Sequence, residues 1–260
     1  MKRIFKPFKY IVAISFLMNL TGCKNFLEEE VYSQLAPGNF LKTKEGLTSI
    51  LYEAYAKGAN MNGNNSIYVL GPEEFATDIL YQSGDNVEAT IKNYRDFNWD
   101  PTMDFLTANW DSPYQCIRDA NIVLENLEAA EMTDADKLLY SSEARFLRAT
   151  SYYKLFNFFG PVPLRTSTTQ ELSMARATED EMKNFIESEL KASFDGLPTP
   201  GNEPEKYRAH KAAALGFLIK FYLNTKQWQK VSDTGKQFLS SFKNFALHSE
   251  YKNLFMVENE

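Results

Sequence analysis

The sequence predicts a mainly α protein made of helical hairpins with a loop-rich insertion. From about Thr43 onward apolar residues recur at spacings of three and four, side chains that cap helices and Gly or Pro residues that stop them bracket those stretches, and alternating strand-like runs are sparse. With 260 residues, 44% of them hydrophobic, the chain is long enough to bury a core without staples.

The first helix is capped by Thr43, carries Leu47, Ile50, Leu51 and Ala54 on one face, and stops at Gly58, where glycine tolerates a left-handed C-terminal residue. Residues 59 to 100 lose any period to Asn, Gly and Pro and read as loop-rich surface. A second helix spans about Asn109 to Ala130, with Trp110, Tyr114, Ile117, Asn121, Leu124 and Leu127 on its stripe. Cys116 falls on the Ile117 side, as a buried and inert thiol does. Asn121 lies on the same stripe. An unpartnered buried amide costs about 1–3 kcal/mol, so it is expected to bond neighbouring backbone.

Thr133 with Asp136 caps a long helix reaching about Phe159, whose face holds Leu139, Phe146, Ala149, Tyr153 and Phe156. Glu143, Arg145 and Arg148 are expected to decorate this helix as structural ion pairs. Phe159-Gly-Pro-Val-Pro-Leu164 ends it in a rigid, extended turn, because proline lacks a donor and biases its predecessor away from the helix. Thr178 and Glu181 form a capping box for a helix bearing Met182, Phe185, Ile186, Leu190 and Phe194, stopped by Gly196 and Pro198. Two last helices, about 207 to 224 and 227 to 242, form an antiparallel hairpin whose second member presents Trp228, Val231, Gly235, Phe238 and Phe242. The hairpin has the ~34-residue length of a tetratricopeptide unit.

The amino terminus carries a different signal. A basic stretch from Met1 to Lys9 precedes the apolar run Tyr10 to Leu20, too short for a helix across a bilayer core of about 30 Å. Residues 1–22 therefore read as a signal peptide. Leu20-Thr21-Gly22-Cys23 fits a lipobox, which makes Cys23 the lipidated first residue of the mature protein, with residues 23–40 as its tether. Each buried CH₂ of an acyl chain contributes about 0.8 kcal/mol, so several chains on one cysteine anchor the protein to a membrane without spanning it.

Removing the leader takes away four of the 28 basic residues and no acid, leaving 24 against 34 acids and a net charge of −10. Such a balance argues against a nucleic-acid partner. Two cysteines cannot build a disulfide framework, and with His210 and His248 far from both they suggest no metal site. No phosphate-cradling glycine loop, Gly-x-Ser-x-Gly elbow or His-Glu-x-x-His motif is present, so no cofactor is expected and the chain reads as a non-enzyme.

Several blocks stand in one order: Cys23 followed by Asn25-Phe26-Leu27; Phe40-Leu-Lys-Thr-Lys-Glu-Gly-Leu; Trp110 to Asn121-Ile-Val-Leu; Glu143-Ala-Arg-Phe-Leu-Arg-Ala149; Phe159-Gly-Pro-Val-Pro-Leu164; Arg176-Ala-Thr; and Tyr251-Lys-Asn-Leu-Phe255. Together they resemble the SusD/RagB family. That resemblance implies a lipoprotein on the outer face of the outer membrane. It would bind a glycan or another nutrient ligand and pass it to a partner SusC-like TonB-dependent transporter. Family chains continue for as long again, so residues 41–260 read as the N-terminal helical domain of a truncated SusD-like fold.

Sugars are held by aromatic faces that stack on their C–H surfaces, with amide, carboxylate or guanidinium groups taking the hydroxyls. The irregular region supplies Tyr68, Asp78, Tyr81, Tyr94, Arg95, Asn98 and Trp99. Of these, Tyr81 and Trp99 are the candidate platforms and Arg95 and Asn98 their polar partners. A helical-repeat lipoprotein that binds a protein partner and no small ligand, a lipid-anchored hydrolase and a non-functional fragment are the competing readings.

Overall fold

The computed structural model describes residues 37–58, 74–78, 88–171, 173–247 and 249–256. The chain divides into two units, Met1–Asn39 and Phe40–Glu260. The first is represented only by the start of the helical turn Pro37–Phe40. Tyr68, Tyr81, His248 and the leader with Cys23 lie outside the described residues.

Among the described residues of the second unit seven helices follow: α1 Lys44–Gly58, α2 Glu88–Arg95, α3 Asp104–Asn126, α4 Asp134–Phe159, α5 Glu179–Gly196, α6 Lys211–Asn224 and α7 Trp228–Ser241, with a 3₁₀ turn at Tyr251–Phe255. Apart from α2, they stack in order, α1 on α3, α3 on α4, α4 on α5, α5 on α6 and α6 on α7, as helical hairpins do when each repeat buries its neighbour's face. Among the described residues there is no strand, only an isolated bridge between Thr43 and Glu131 that ties together the chain just before α1 and before α4. No described helix is long and apolar enough to cross a membrane.

The helix starts follow from their caps. Thr43 Oγ1 accepts from Gly46 N (3.0 Å), Thr133 Oγ1 from Asp136 N (3.1 Å) and Thr178 Oγ1 from Glu181 N (3.2 Å), while Glu181 returns the bond to Thr178 N. Cys116 is fully buried, and burial pushes its thiol up to about 12, the inert state expected of it.

Several elements differ from the sequence reading. Helix α2 falls in the stretch read as irregular. Its eight residues offer only Ile91 and Tyr94 as spaced apolar positions, too few to register a period, yet Tyr94 is buried against Phe75. Helix α3 begins earlier, at Asp104; Leu106 of its first turn lines a cleft, so this turn added nothing to the apolar stripe that marked the rest. It runs through Pro113, where one ladder bond is lost. Residues 207–210 are not helical, since Tyr207 has φ 77° and His210 caps α6 by accepting from Ala213 N.

The largest correction concerns the charges of α4. Glu143 and Arg148 do not decorate its surface; both are buried. Arg148 donates to Glu189 Oε2 of α5 (2.5 and 2.8 Å) and to Asn121 Oδ1 of α3 (2.7 Å), and Arg145 binds the other Glu189 oxygen (2.6 Å). Asn121 completes the network by donating to the Arg165 carbonyl (3.2 Å), the backbone bond expected of it. Glu143 receives two bonds from Arg208 (2.5 and 3.0 Å), which turns inward just before α6. Buried charges persist only when paired in this way, and each pair here crosses between elements instead of running along one helix.

At the far end, α7 has the expected stripe but buries no residue. Val231 and Phe238 are half-buried against α6, whereas Trp228 is 61% exposed.

Candidate functional site

An open cleft of about 810 Å³ lies where the 96–103 loop, the first turns of α3, the end of α4 and the approach to α5 meet. Its size is that of a small-ligand site. Each contributor is held by local structure. After α2, the amides of Asp96, Phe97 and Asn98 close onto carbonyls of Lys92, Tyr94 and Asn93, and Phe97 takes φ 53°. This turn stands Trp99 outward at 47% exposure, with its ring 5.5 Å from that of Phe97. Asp100 then accepts from the Thr102 hydroxyl (2.5 Å) and amide (2.8 Å), which hold its carboxyl below the usual range.

Trp110 of α3 forms the facing wall. Its indole meets Phe159 edge-on at 5.1 Å and lies 5.2 Å from Tyr114. Gly160, at φ 66°, bends the chain sharply after Phe159, a conformation that costs glycine little, and Pro161 prevents the helix from continuing. The guanidinium of Arg176 is fixed at the rim by bonds to the carbonyls of Phe159 (3.1 Å) and Pro161 (3.0 Å).

The lining thus joins aromatic faces from Trp99, Trp110, Phe158 and Phe159 to the charged groups of Asp100, Asp111 and Arg176. Flat apolar faces beside a few polar groups suit a ligand whose rings have both C–H surfaces and hydroxyls. Acid catalysis is poorly served by Asp100, because a general acid needs its pKa raised and this one is lowered.

Of the residues singled out from sequence, Trp99 lines the cleft, and Arg95 and Asn98 do not. Arg95 Nε instead donates to Asp96 Oδ1 (3.1 Å), and Asn98 is exposed outside the lining. Tyr94 is a buried wall residue, not a surface platform. Sequence reasoning passed over Trp110, Phe158 and Arg176. The doublet Phe158-Phe159 held a usable signal, since adjacent helical side chains diverge by about 100° and cannot both face one core.

Fold and cleft define a class: a stack of helical hairpins carrying an aromatic-lined cleft. Residues 25–223 match the SusD-like family model described as "Starch-binding associating with outer membrane", and the chain belongs to that family. It is 24% identical to SusD-like protein P25 of Formosa agariphila, with 96% of this chain and 49% of that protein aligned. Over 144 residues it is 29% identical to the starch-binding protein SusD of Bacteroides thetaiotaomicron, covering 54% of this chain and 25% of that one. Among solved structures, a laminarin-binding SusD-like protein superposes with a TM-score of 0.73 at 23% identity, over 84% of this chain and 49% of its own. Surface glycan-binding protein A from Bacteroides uniformis does so with 0.70 at 21%, over 83% and 50%. The chain therefore spans about half the length of the curated relatives it matches across its length.

Proposed function

We propose that this protein is a carbohydrate-binding component of nutrient uptake, which captures an oligosaccharide in the cleft between Trp99 and Trp110 and transforms nothing. The observation that carries this reading is the cleft's composition: two indoles and two phenyl rings around Asp100, Asp111 and Arg176. Trp99 stacks on a sugar face, Trp110 with Phe159 closes the apolar wall, and the carboxylates and guanidinium take hydroxyls. Membership of a family described as starch-binding supports the ligand class.

In this reading residues 1–22 are removed, Cys23 carries the lipid, residues 23–40 tether the protein, and the helical domain from residue 41 faces the cell exterior. There it works beside a SusC-like TonB-dependent transporter that receives the ligand. Migration of the mature chain through native gels containing starch or laminarin tests the binding. Retardation that disappears in Trp99→Ala supports the reading, and equal mobility of both chains in every gel counts against it. Radiolabelled palmitate should enter the wild type and not Cys23→Ala; labelling of both would remove the anchor.

A further inference from the structure

The loop between α5 and α6 holds Tyr207 in a conformation that its side chain resists. Tyr207 has φ 77°, where a bulky residue is a steric outlier and glycine rests easily. The chain is pinned on both sides of it. Glu205 accepts a hydrogen bond from Tyr52 of α1, Arg208 forms the buried pair with Glu143, and Ala209 N donates to Tyr55 Oη (2.8 Å). The turn therefore demands a left-handed residue, yet the tyrosine standing there buries little in return. At 87% exposure it is the most exposed aromatic ring among the described residues. A disfavoured backbone that burial does not offset points to a use for the ring itself. The same device stands at the cleft, where Phe97 at φ 53° lies beside Trp99.

Beside Tyr207 opens a second cavity of about 450 Å³, within the size range of small-ligand sites. Tyr55 and Phe146 supply its apolar wall, and Glu203, Lys206 and His210 its polar groups. Lys206 Nζ lies 5.1 Å from the centroid of the Tyr207 ring, over one face, and the ring's exposure leaves the other face open. His210 Nδ1 accepts from Ala213 N (3.0 Å), which leaves Nε2 as a donor. That nitrogen is 3.8 Å from Glu203 Oε1, too far for a direct hydrogen bond and a gap that a water or a ligand hydroxyl bonds on both sides. Gly201 N holds the other Glu203 oxygen (2.8 Å) and so fixes the carboxylate.

We propose that Tyr207, with Lys206, His210 and Glu203, forms a second sugar-binding site, which takes one unit of a neutral glycan. The open face of Tyr207 stacks on the C–H surface of the sugar ring, Lys206 and His210 donate to its hydroxyls, and Glu203 accepts from them. Donors and an acceptor of opposite charge in one small site suit hydroxyls better than an ionised group. The proposal rests on the ligand class given above and not on the cleft. Phe146 lines this cavity and Phe159 the cleft, and a rise of 1.5 Å per residue puts them about 20 Å apart along α4.

An open site built on one ring binds weakly, so the test uses millimolar starch-derived and laminarin-derived oligosaccharides and the amide resonances of the ¹⁵N-labelled mature protein. Trp99→Ala serves as the background, which silences the cleft. Expected are saturable shifts at residues 206–210 with at least one series, kept when Tyr207→Phe is added and lost when Tyr207→Gly is added. Glycine suits φ 77°, so the melting midpoint of Tyr207→Gly should hold within about 2 °C of its parent or rise. No shift in this segment with either series, or shifts that survive Tyr207→Gly, would overturn the proposal, as would a lowered midpoint, which would make the ring structural. Wild-type cleft binding with a silent 206–210 segment overturns this site alone. Shifts at 206–210 in a protein whose cleft binds nothing would support this site and remove the cleft reading.

Discussion

Helices α4 and α7 belong to the same stack, α4 enclosed in its middle and α7 packed chiefly on one neighbour. Helix α4 is enclosed by α3, α5 and α1 and buries twelve residues, two of them charged, whereas α7 packs chiefly on α6 and buries none. Both carry apolar stripes at helical spacing. What separates them is their place in the stack: a stripe becomes core only where a neighbour supplies the opposing face, and even full charges can be buried where neighbours supply partners. The middle of the protein is therefore where substitutions should cost most, and the α7 end where they should cost least.

The largest expected effect comes from removing a partner in the middle. Arg148→Ala leaves the Glu189 carboxylate and Asn121 Oδ1 without their shared donor in a buried site and should lower stability by about 3–5 kcal/mol in guanidinium denaturation. A loss below about 1 kcal/mol would mean that Glu189 finds water, and the comparison would fail at its strongest point. Next, Ile186→Ala, a fully buried site on α5, should cost about 2–5 kcal/mol, while Leu239→Ala on α7 should stay within about 0.5 kcal/mol. Equal losses would show that α7 is covered after all. Thr178→Ala removes the α5 cap and should cost about 1 kcal/mol by the same assay.

The smallest effect concerns the tie between the two regions. Burial pushes the Glu187 carboxyl up, but hydrogen bonds from Lys191 and Lys230 outweigh it and hold it below its ordinary value. A carboxyl with a lowered folded pKa contributes stability that is complete above its unfolded value, about 4.3, and is lost as pH falls through the folded one. Melting followed from pH 7 to pH 3 should therefore fall slightly less steeply for Glu187→Gln, by under about 1 kcal/mol. An identical acid limb for both chains would leave α7 without this tie to α5.

The middle of the stack was also the most legible part of the sequence. The caps at Thr43, Thr133 and Thr178, the burial of Cys116 and the backbone bond of Asn121 follow from local chemistry and spacing alone. Burial of Glu143 and Arg148 was hidden, because their partners Arg208 and Glu189 lie 65 and 41 residues away, beyond any helical period. Helix α2 was too short to show one. Of the cleft, Trp99 stood out as an aromatic on a loop, but Trp110 sat on a stripe that also reads as core, and Arg176 reaches the rim only because the Gly160-Pro161 turn brings its carbonyl partners there. Arg95 is drawn to its neighbour Asp96, a contact that adjacency in sequence does not reveal.

Ligand capture is the claim on which the account turns, and the three tryptophans provide its reporter. Trp228→Phe removes the one on α7 and leaves Trp99 and Trp110, both in the cleft. Titrating that chain with starch-derived and laminarin-derived oligosaccharides should give a saturable change in indole fluorescence, abolished when Trp99→Ala is added. No change with either series, or a change that survives loss of Trp99, would contradict a carbohydrate site in this cleft.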